Sequence, residues 1–166
     1  MERINGILQH ETYQEWLSRN EQAEKDRIFC RHDMDHNLAV ARISYLLWLE
    51  QGGEQNVKPL FYAAALLHDI GKWQKAFYPQ RDHGELSGDL ARQLLPDCGF
   101  SPMEQKIILQ AIYAHSGNDR VAELMDKKEK TFAEIFYLGD KLSRRCWECK
   151  GTEECYWNIK NETILY

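Results

Sequence analysis

Helical spacing of apolar residues runs along nearly the whole chain, and no stretch sustains the period-two alternation of a half-buried strand. A chain patterned in this way is expected to fold by laying amphipathic helices against one another. The densest apolar run, Leu60, Phe61, Ala63, Ala64, Leu66 and Leu67, predicts a helix with Pro59 in its first turn and its end near Ile70–Gly71. Leu38, Ala41, Ile43, Tyr45, Leu46 and Leu49 give a broad apolar face to a helix over roughly 34–51, which Gly52–Gly53 ends. Further helices are expected over about 4–19, 83–95 and 102–115, the last with Ser101 as N-cap, Pro102 at N1 and Glu104 at N3. Asn118 suits the cap of a short helix, and Thr131 with Glu134 makes a capping box for a helix through about Arg145. The expected fold is all-α: an irregular bundle of five to seven helices.

A length of 166 residues suffices for one domain, 1–166, with one sizeable core. Neither an internal repeat nor a Pro/Gly/Ser-rich linker divides it. Net charge is −5, from 21 Lys and Arg against 26 Asp and Glu. That balance argues against nucleic-acid binding by bulk electrostatics, while leaving room for a local basic pocket that takes a small phosphate ester. The opening residues, MERINGILQHETYQEWL, are too polar for a secretory signal, and no apolar run is long enough to cross a bilayer. A cytoplasmic protein with no membrane partner is the expectation. Oligomeric state is not readable.

The stretch AAALLHDIGKW, from Ala63 to Trp73, brings an apolar helix to its end and then presents His68 and Asp69 side by side. Both are costly to bury unpaired. His36, His83 and His115 also stand at or near the ends of expected helices, and Asp140 lies on an apolar face. Each has a structural reading by itself: a histidine at a helix end complements the dipole, Asp140 can pair with Lys141, and His83 fits a turn between Asp82 and Gly84. An adjacent His-Asp after an apolar run has few purely structural uses. Imidazole and carboxylate together suit Fe, Mn, Co, Ni or Zn rather than Ca or Mg.

RHDMDHNLAVAR, ALLHDIGKW and YLGDKLSR, in that order, resemble the motifs of the HD-domain metal-dependent phosphohydrolases, over a motif core of about 28–145. The resemblance implies that His36, His68, Asp69 and Asp140 bind one metal. It further implies that His83 and His115 hold a second, with Asp69 bridging the two. The implied cofactors are two divalent transition metals, Fe or Mn first, with Ni, Co or Zn as alternatives. The implied reaction is attack of a metal-bound hydroxide on a small phosphate ester or anhydride. The likeness extends to small bacterial members that act on nucleotides, including those cleaving diadenosine tetraphosphate.

Lys72, just beyond the doublet, is a catalytic candidate that could touch a phosphate oxygen, and Arg31 and Arg144 are further phosphate candidates. His32, four residues before His36, would share its face if the helix reaches back that far, and would then support a ligand or the attacking water. Asp33 and Asp35 read as helix N-terminal acids, and His10 as a surface residue. Tyr78 and Arg81, in the connection 74–82, either border the pocket or decorate a turn; the connection 116–130 is the other place to seek specificity. Two rival readings remain. The same ligand order is similar to that of the di-iron inositol and phosphonate oxygenases, and a non-catalytic metal or redox sensor would make the cysteines the working part.

Five cysteines, Cys30, Cys98, Cys146, Cys149 and Cys155, do not make a disulfide framework. Cys146, Cys149 and Cys155 have the spacing of thiolate ligands, and a site of this kind wants a fourth. If the helices of His36 and Asp140 lie side by side and antiparallel, Cys30 and Cys146, six residues outward from each, fall on the same side, displaced about 9 Å along the axis at the helical rise. A Zn2+ or Fe–S site at Cys30, Cys146, Cys149 and Cys155 would pin the tail 146–166 on the domain, with Trp147 and Trp157 covering the core. Unpaired reduced thiols are the alternative, and Cys98 reads as a small apolar residue.

Overall fold

The computed structural model describes residues 1–28, 30–116, 127–151, 153, 155 and 166, with 127–130 described by backbone alone. Among these residues there are seven α-helices, three 3-10 turns and no strand. The helices are α1 (Glu2–Gln9), α2 (Glu11–Ala23), α3 (Met34–Glu50), α4 (Lys58–Leu67), α5 (His83–Leu94), α6 (Pro102–Ala114) and α7 (Lys127–Leu142). The 3-10 turns cover Gln55–Val57, Lys72–Ala76 and Cys146–Glu148. None of the helices among the described residues is long and apolar enough to cross a membrane.

Several boundaries differ from the apolar pattern. The helix expected over 4–19 is two helices, broken where His10 adopts an extended backbone that caps both. His10 is half-buried there, with Nε2 3.9 Å from Asp97 Oδ2, and is not the surface residue expected. α3 starts after Asp33, whose side chain accepts from the His36 N–H at 3.0 Å. It therefore does not reach back to His32. α4 stops at Leu67, and the chain tightens so that the Ile70 N–H donates to the Leu67 carbonyl. The Ser101–Glu104 capping box stands as expected. The Thr131–Glu134 pattern does not open a helix, because α7 already starts at Lys127. A Thr-x-x-Glu spacing also fits a helix interior when the apolar face continues beneath it. The short helix expected after Asn118 lies outside the described residues.

α4 is apolar on every side and sits at the centre, packed on α3, α6 and α1. Phe61, Ala63, Ala64 and Leu67 are fully buried. One apolar cluster draws on residues from Ile4 to Phe136. α3 and α7 run antiparallel. Trp48 meets Phe132 at one end of the pair, and His36 meets Ser143 at the other. Phe132 also stacks on Phe61 with ring centroids 4.1 Å apart.

The two helices touch where Gly139 passes Ser44. A Cβ on Gly139 would stand 2.0 Å from Ser44 Oγ and 3.0 Å from Ser44 Cα. Gly139→Ala should therefore destabilise the fold by about 1–3 kcal/mol, the usual cost of overpacking. Adding Ser44→Ala should restore part of that loss, since it removes the closest clash and leaves the backbone one. Thermal unfolding of both variants measures it.

Candidate metal centre

The His68–Asp69 doublet follows the last turn of α4, and three contacts hold its backbone. Asn20 of α2, buried, donates from Nδ2 to the Asp69 carbonyl at 2.7 Å and accepts the Trp73 N–H at 2.8 Å. The Gly71 N–H donates to Ser87 Oγ of α5 at 3.0 Å. A Cβ at Gly71 would lie 2.6 Å from the Ser87 backbone nitrogen, so only glycine lets the turn approach α5 this closely.

Around Asp69 the helix ends deliver imidazoles to both carboxylate oxygens. Asp69 Oδ2 is 3.2 Å from His68 Nε2 and 3.9 Å from His36 Nε2. Asp69 Oδ1 is 3.4 Å from His115 Nε2 and 3.5 Å from His83 Nε2. His36, from the first turn of α3, is 3.5 Å from Asp140 Oδ1 near the end of α7. His83 opens α5, His115 follows α6, and their Nε2 atoms are 3.0 Å apart. Two groups result, His36, His68 and Asp69, and Asp69, His83 and His115, each with its ligating atoms within 4.8 Å of one another.

The outward nitrogens are occupied in a way that leaves Nε2 as the open donor. His68 Nδ1–H donates to the Ala65 carbonyl at 2.7 Å, and His115 Nδ1–H to the Ile112 carbonyl at 2.6 Å. Ser143 Oγ–H donates to the Asp140 carbonyl at 2.7 Å, so its oxygen accepts from His36 Nδ1–H at 3.2 Å. Asp69 Oδ1 is buried and makes no hydrogen bond of good geometry. An orphaned carboxylate oxygen among imidazole nitrogens with open lone pairs suits a divalent cation, and this donor set fits one on either side of Asp69.

A family model described as HD domain matches residues 34–145. The chain belongs to the HD-domain family. An uncharacterized protein of Clostridium beijerinckii is 39% identical over 168 residues, covering 100% of both chains. A bifunctional uridylyltransferase/uridylyl-removing enzyme of Rhodopseudomonas palustris is 33% identical over 79 residues, 48% of this chain and 8% of that enzyme. The crystal structure of a predicted HD superfamily hydrolase from an uncultured Thermotogales bacterium superposes with a TM-score of 0.55 at 26% identity. That likeness covers 78% of this chain and 66% of the hydrolase. Together these support an all-α HD-domain fold and, in general terms, a metal-dependent hydrolase.

The charges in this HD-domain site are set by burial and mutual proximity. Burial opposes a charge on Asp69, but His68, Lys72 and His32 outweigh it and hold its carboxyl well below the usual range. Burial is likewise outweighed at Asp140, by Lys141, His68 and His36, and its carboxyl is lowered. Burial pushes the His36 pKa down to about 4, with His68 adding to the effect against the pull of Asp140 and Asp69. His83 is lowered by burial, which Asp69 opposes and Lys72 and His115 reinforce. At His68 burial is overcome by Asp69 and Asp140, and the pKa is raised.

The site opens into a cavity of about 1000 Å3. Its wall includes nine Lys and Arg against six Asp and Glu, locally basic in a chain of net charge −5. Lys72, Arg31 and Arg144 all line it. Lys72 Nζ stands 3.4 Å from Asp69 Oδ1 and 3.2 Å from His32 Nε2. His32 lies before α3, yet its Nε2 is 3.6 Å from Asp69 Oδ2. The loop brings it there, not a shared helix face. Tyr78 and Arg81 do not line the cavity. Tyr78 is exposed, and Arg81 pairs with Asp89 at 2.7 Å. The connection 116–130 contributes Ser116; 117–126 lie outside the described residues, and 127–130 belong to α7.

Cys30, Cys146, Cys149 and Cys155 line the same cavity, and no disulfide joins them. Cys30 arrives on a loop, so the helical displacement expected for it does not apply. Cys98 is buried, as expected. Trp147 is exposed and does not cover the core; Trp157 lies outside the described residues. Asn20, Glu24, Ser143 and Asp82 escaped the sequence reading. Asp82 caps α5 and accepts from Ser116 Oγ at 2.6 Å, joining the elements of His83 and His115. Polar residues of this kind are common on helices, and only the contact distinguishes them.

The lowered His36 pKa fixes a sign. In the metal-free chain the unfolded state takes up this proton first, so His36 removes stability as pH falls from 6.5 to about 4. His68 acts oppositely, stabilising below 6.5 and losing that contribution as pH rises through its folded value. His36→Gln should therefore lose less thermal stability than the unaltered chain between pH 6.5 and 4, as followed by circular dichroism.

Proposed function

We propose that this HD-domain chain is a metal-dependent phosphohydrolase acting on a small phosphate ester or anhydride of the nucleotide class. The observation that carries the reading is Asp69, whose two buried oxygens face separate histidine groups. His36, His68, Asp69 and Asp140 would hold one divalent transition ion, Fe or Mn first by the HD-domain resemblance and Ni, Co or Zn as alternatives. His83, His115 and the other oxygen of Asp69 would hold a second. Such a pair supplies a water of lowered pKa and neutralises charge on phosphoryl oxygens.

The chain's own residues do the rest. Lys72 offers an ammonium beside Asp69 for a phosphoryl oxygen, and Arg31 and Arg144 line the approach. Glu24 Oε1 accepts His32 Nδ1–H at 2.7 Å, and Glu24 Oε2 accepts the His32 backbone N–H at 2.9 Å. That turns His32 Nε2 toward the site, where Lys72 Nζ stands 3.2 Å away; with Lys72 drawn to a phosphoryl oxygen, Nε2 would be a base able to take a proton from water and return it to the leaving oxygen. The basic wall favours an anionic substrate. The uridylyl-removing relatives, named for taking off a nucleotidyl group, support the nucleotide class.

The test is phosphate or nucleotide release from a nucleotide panel and a generic phosphodiester, with Mn2+ or Fe2+ and air excluded. Asp69→Asn should lower kcat by about 10²- to 10³-fold or more and reduce bound metal. Glu24→Gln should cost about 10- to 100-fold in kcat with metal content unchanged. Full activity in Asp69→Asn, or oxygen uptake in place of hydrolysis, would overturn the reading.

A further inference from the structure

The cysteines are left unused by this chemistry, although four of the five line one cavity. Cys146 opens the 3-10 turn Cys146–Glu148, and the Cys149 N–H donates to the Cys146 carbonyl at 3.2 Å, closing the two cysteines onto one turn. Gly151 is buried behind it, and Cys155 returns to the same wall of the cavity. Cys30 comes from the loop before α3, 116 positions before Cys146 in the chain. Its carbonyl is held by Arg27 Nε–H at 3.1 Å. Its backbone is left-handed, with φ of 48°, a conformation that favours glycine or asparagine. A cysteine there is not explained by backbone preference.

We propose that Cys30, Cys146, Cys149 and Cys155 form a four-thiolate site for a thiophilic metal centre, separate from the histidine–aspartate site and sharing its cavity wall. The centre is either a single tetrahedral ion such as Zn2+ or an iron–sulfur cluster; both use the same four thiolates. Half-buried thiols gathered in this way gain little from packing alone. Four S–H protons leave to solvent as four metal–sulfur bonds form, and the charge of −2 left on a divalent ion with four thiolates faces Arg31, Arg144, Arg145 and Lys150 in the same wall. The centre would tie the segment after α7 to the loop before α3. That loop carries His32, two residues beyond Cys30, so the clamp holds one edge of the candidate active site.

Cobalt(II) titrated into the reduced, metal-free full chain tests the site. Thiolate ligation gives an intense sulfur-to-cobalt charge-transfer band, which histidine and carboxylate ligands do not. We expect that band at one equivalent per chain. It should survive Asp69→Asn and Cys98→Ser and be strongly reduced in Cys30→Ser and Cys149→Ser. Survival in Asp69→Asn separates this site from the hydrolytic one, whatever becomes of the latter. As a check that needs no substitution, Zn2+ should protect four cysteines of the unaltered chain from alkylation, counted by mass spectrometry. Iron with inorganic sulfide in the anaerobically isolated protein identifies a cluster, and one zinc or iron without sulfide a single ion. Absence of the thiolate band, or alkylation of the four cysteines unchanged by metal, would overturn the proposal.

Discussion

Asp69 carries a charge in a nearly dry setting, and much of the molecule is arranged to make that tolerable. Its backbone carbonyl is held by Asn20 from α2, and the turn after it is held by Ser87 from α5. Its oxygens face imidazoles delivered by the ends of α3, α4, α5 and α6, with Lys72 close by. Burying a carboxylate is costly unless neighbouring charges and donors compensate. Here the histidines and lysine outweigh that cost electrostatically, yet Oδ1 is left without a hydrogen bond of good geometry. That open oxygen, among imidazole nitrogens, is what suits the site to a cation.

The apolar core serves this arrangement. α4 is buried on all sides so that its C-terminal turn, with the doublet, emerges inside the protein and not at its surface. The close crossing of Gly139 and Ser44 brings α7 near enough to α3 for Asp140 and His36 to approach. Outer hydrogen bonds from Ser143, Ala65 and Ile112 then decide which imidazole nitrogen faces inward. The basic cavity wall and the cysteine-bearing segment lie beyond that inner shell. The loop from Cys30 to His32 links the two regions, which is why a clamp at the cysteines would bear on the position of His32.

Helix content and the doublet were legible because both are local. The apolar stripe of 34–50, the Pro-led helix at 58–67 and the Ser101 capping box each act over a few residues, and each stands in the structure. The errors were local signals read without their surroundings. Thr131 and Glu134 have the right spacing for a cap but lie inside α7, and the apolar face of 4–19 hides a break at His10. Nothing local distinguishes Tyr78 and Arg81 from pocket residues; in the fold Tyr78 is exposed and Arg81 pairs with Asp89. Asn20, Glu24 and Ser143 carry no mark in the sequence, because their role is a hydrogen bond to a residue far along the chain.

The sequence by itself determined an all-helical chain and named side chains whose chemistry suits a transition metal, since periodicity and donor type are properties of residues. Tertiary structure alone decided that the two oxygens of Asp69 face different histidine groups. It also decided that His32 reaches the site from a loop, and that Cys30 comes to the cavity wall on that loop and not on the helix of His36. Those facts depend on which helix ends meet, and helix ends meet where packing of the whole core sends them.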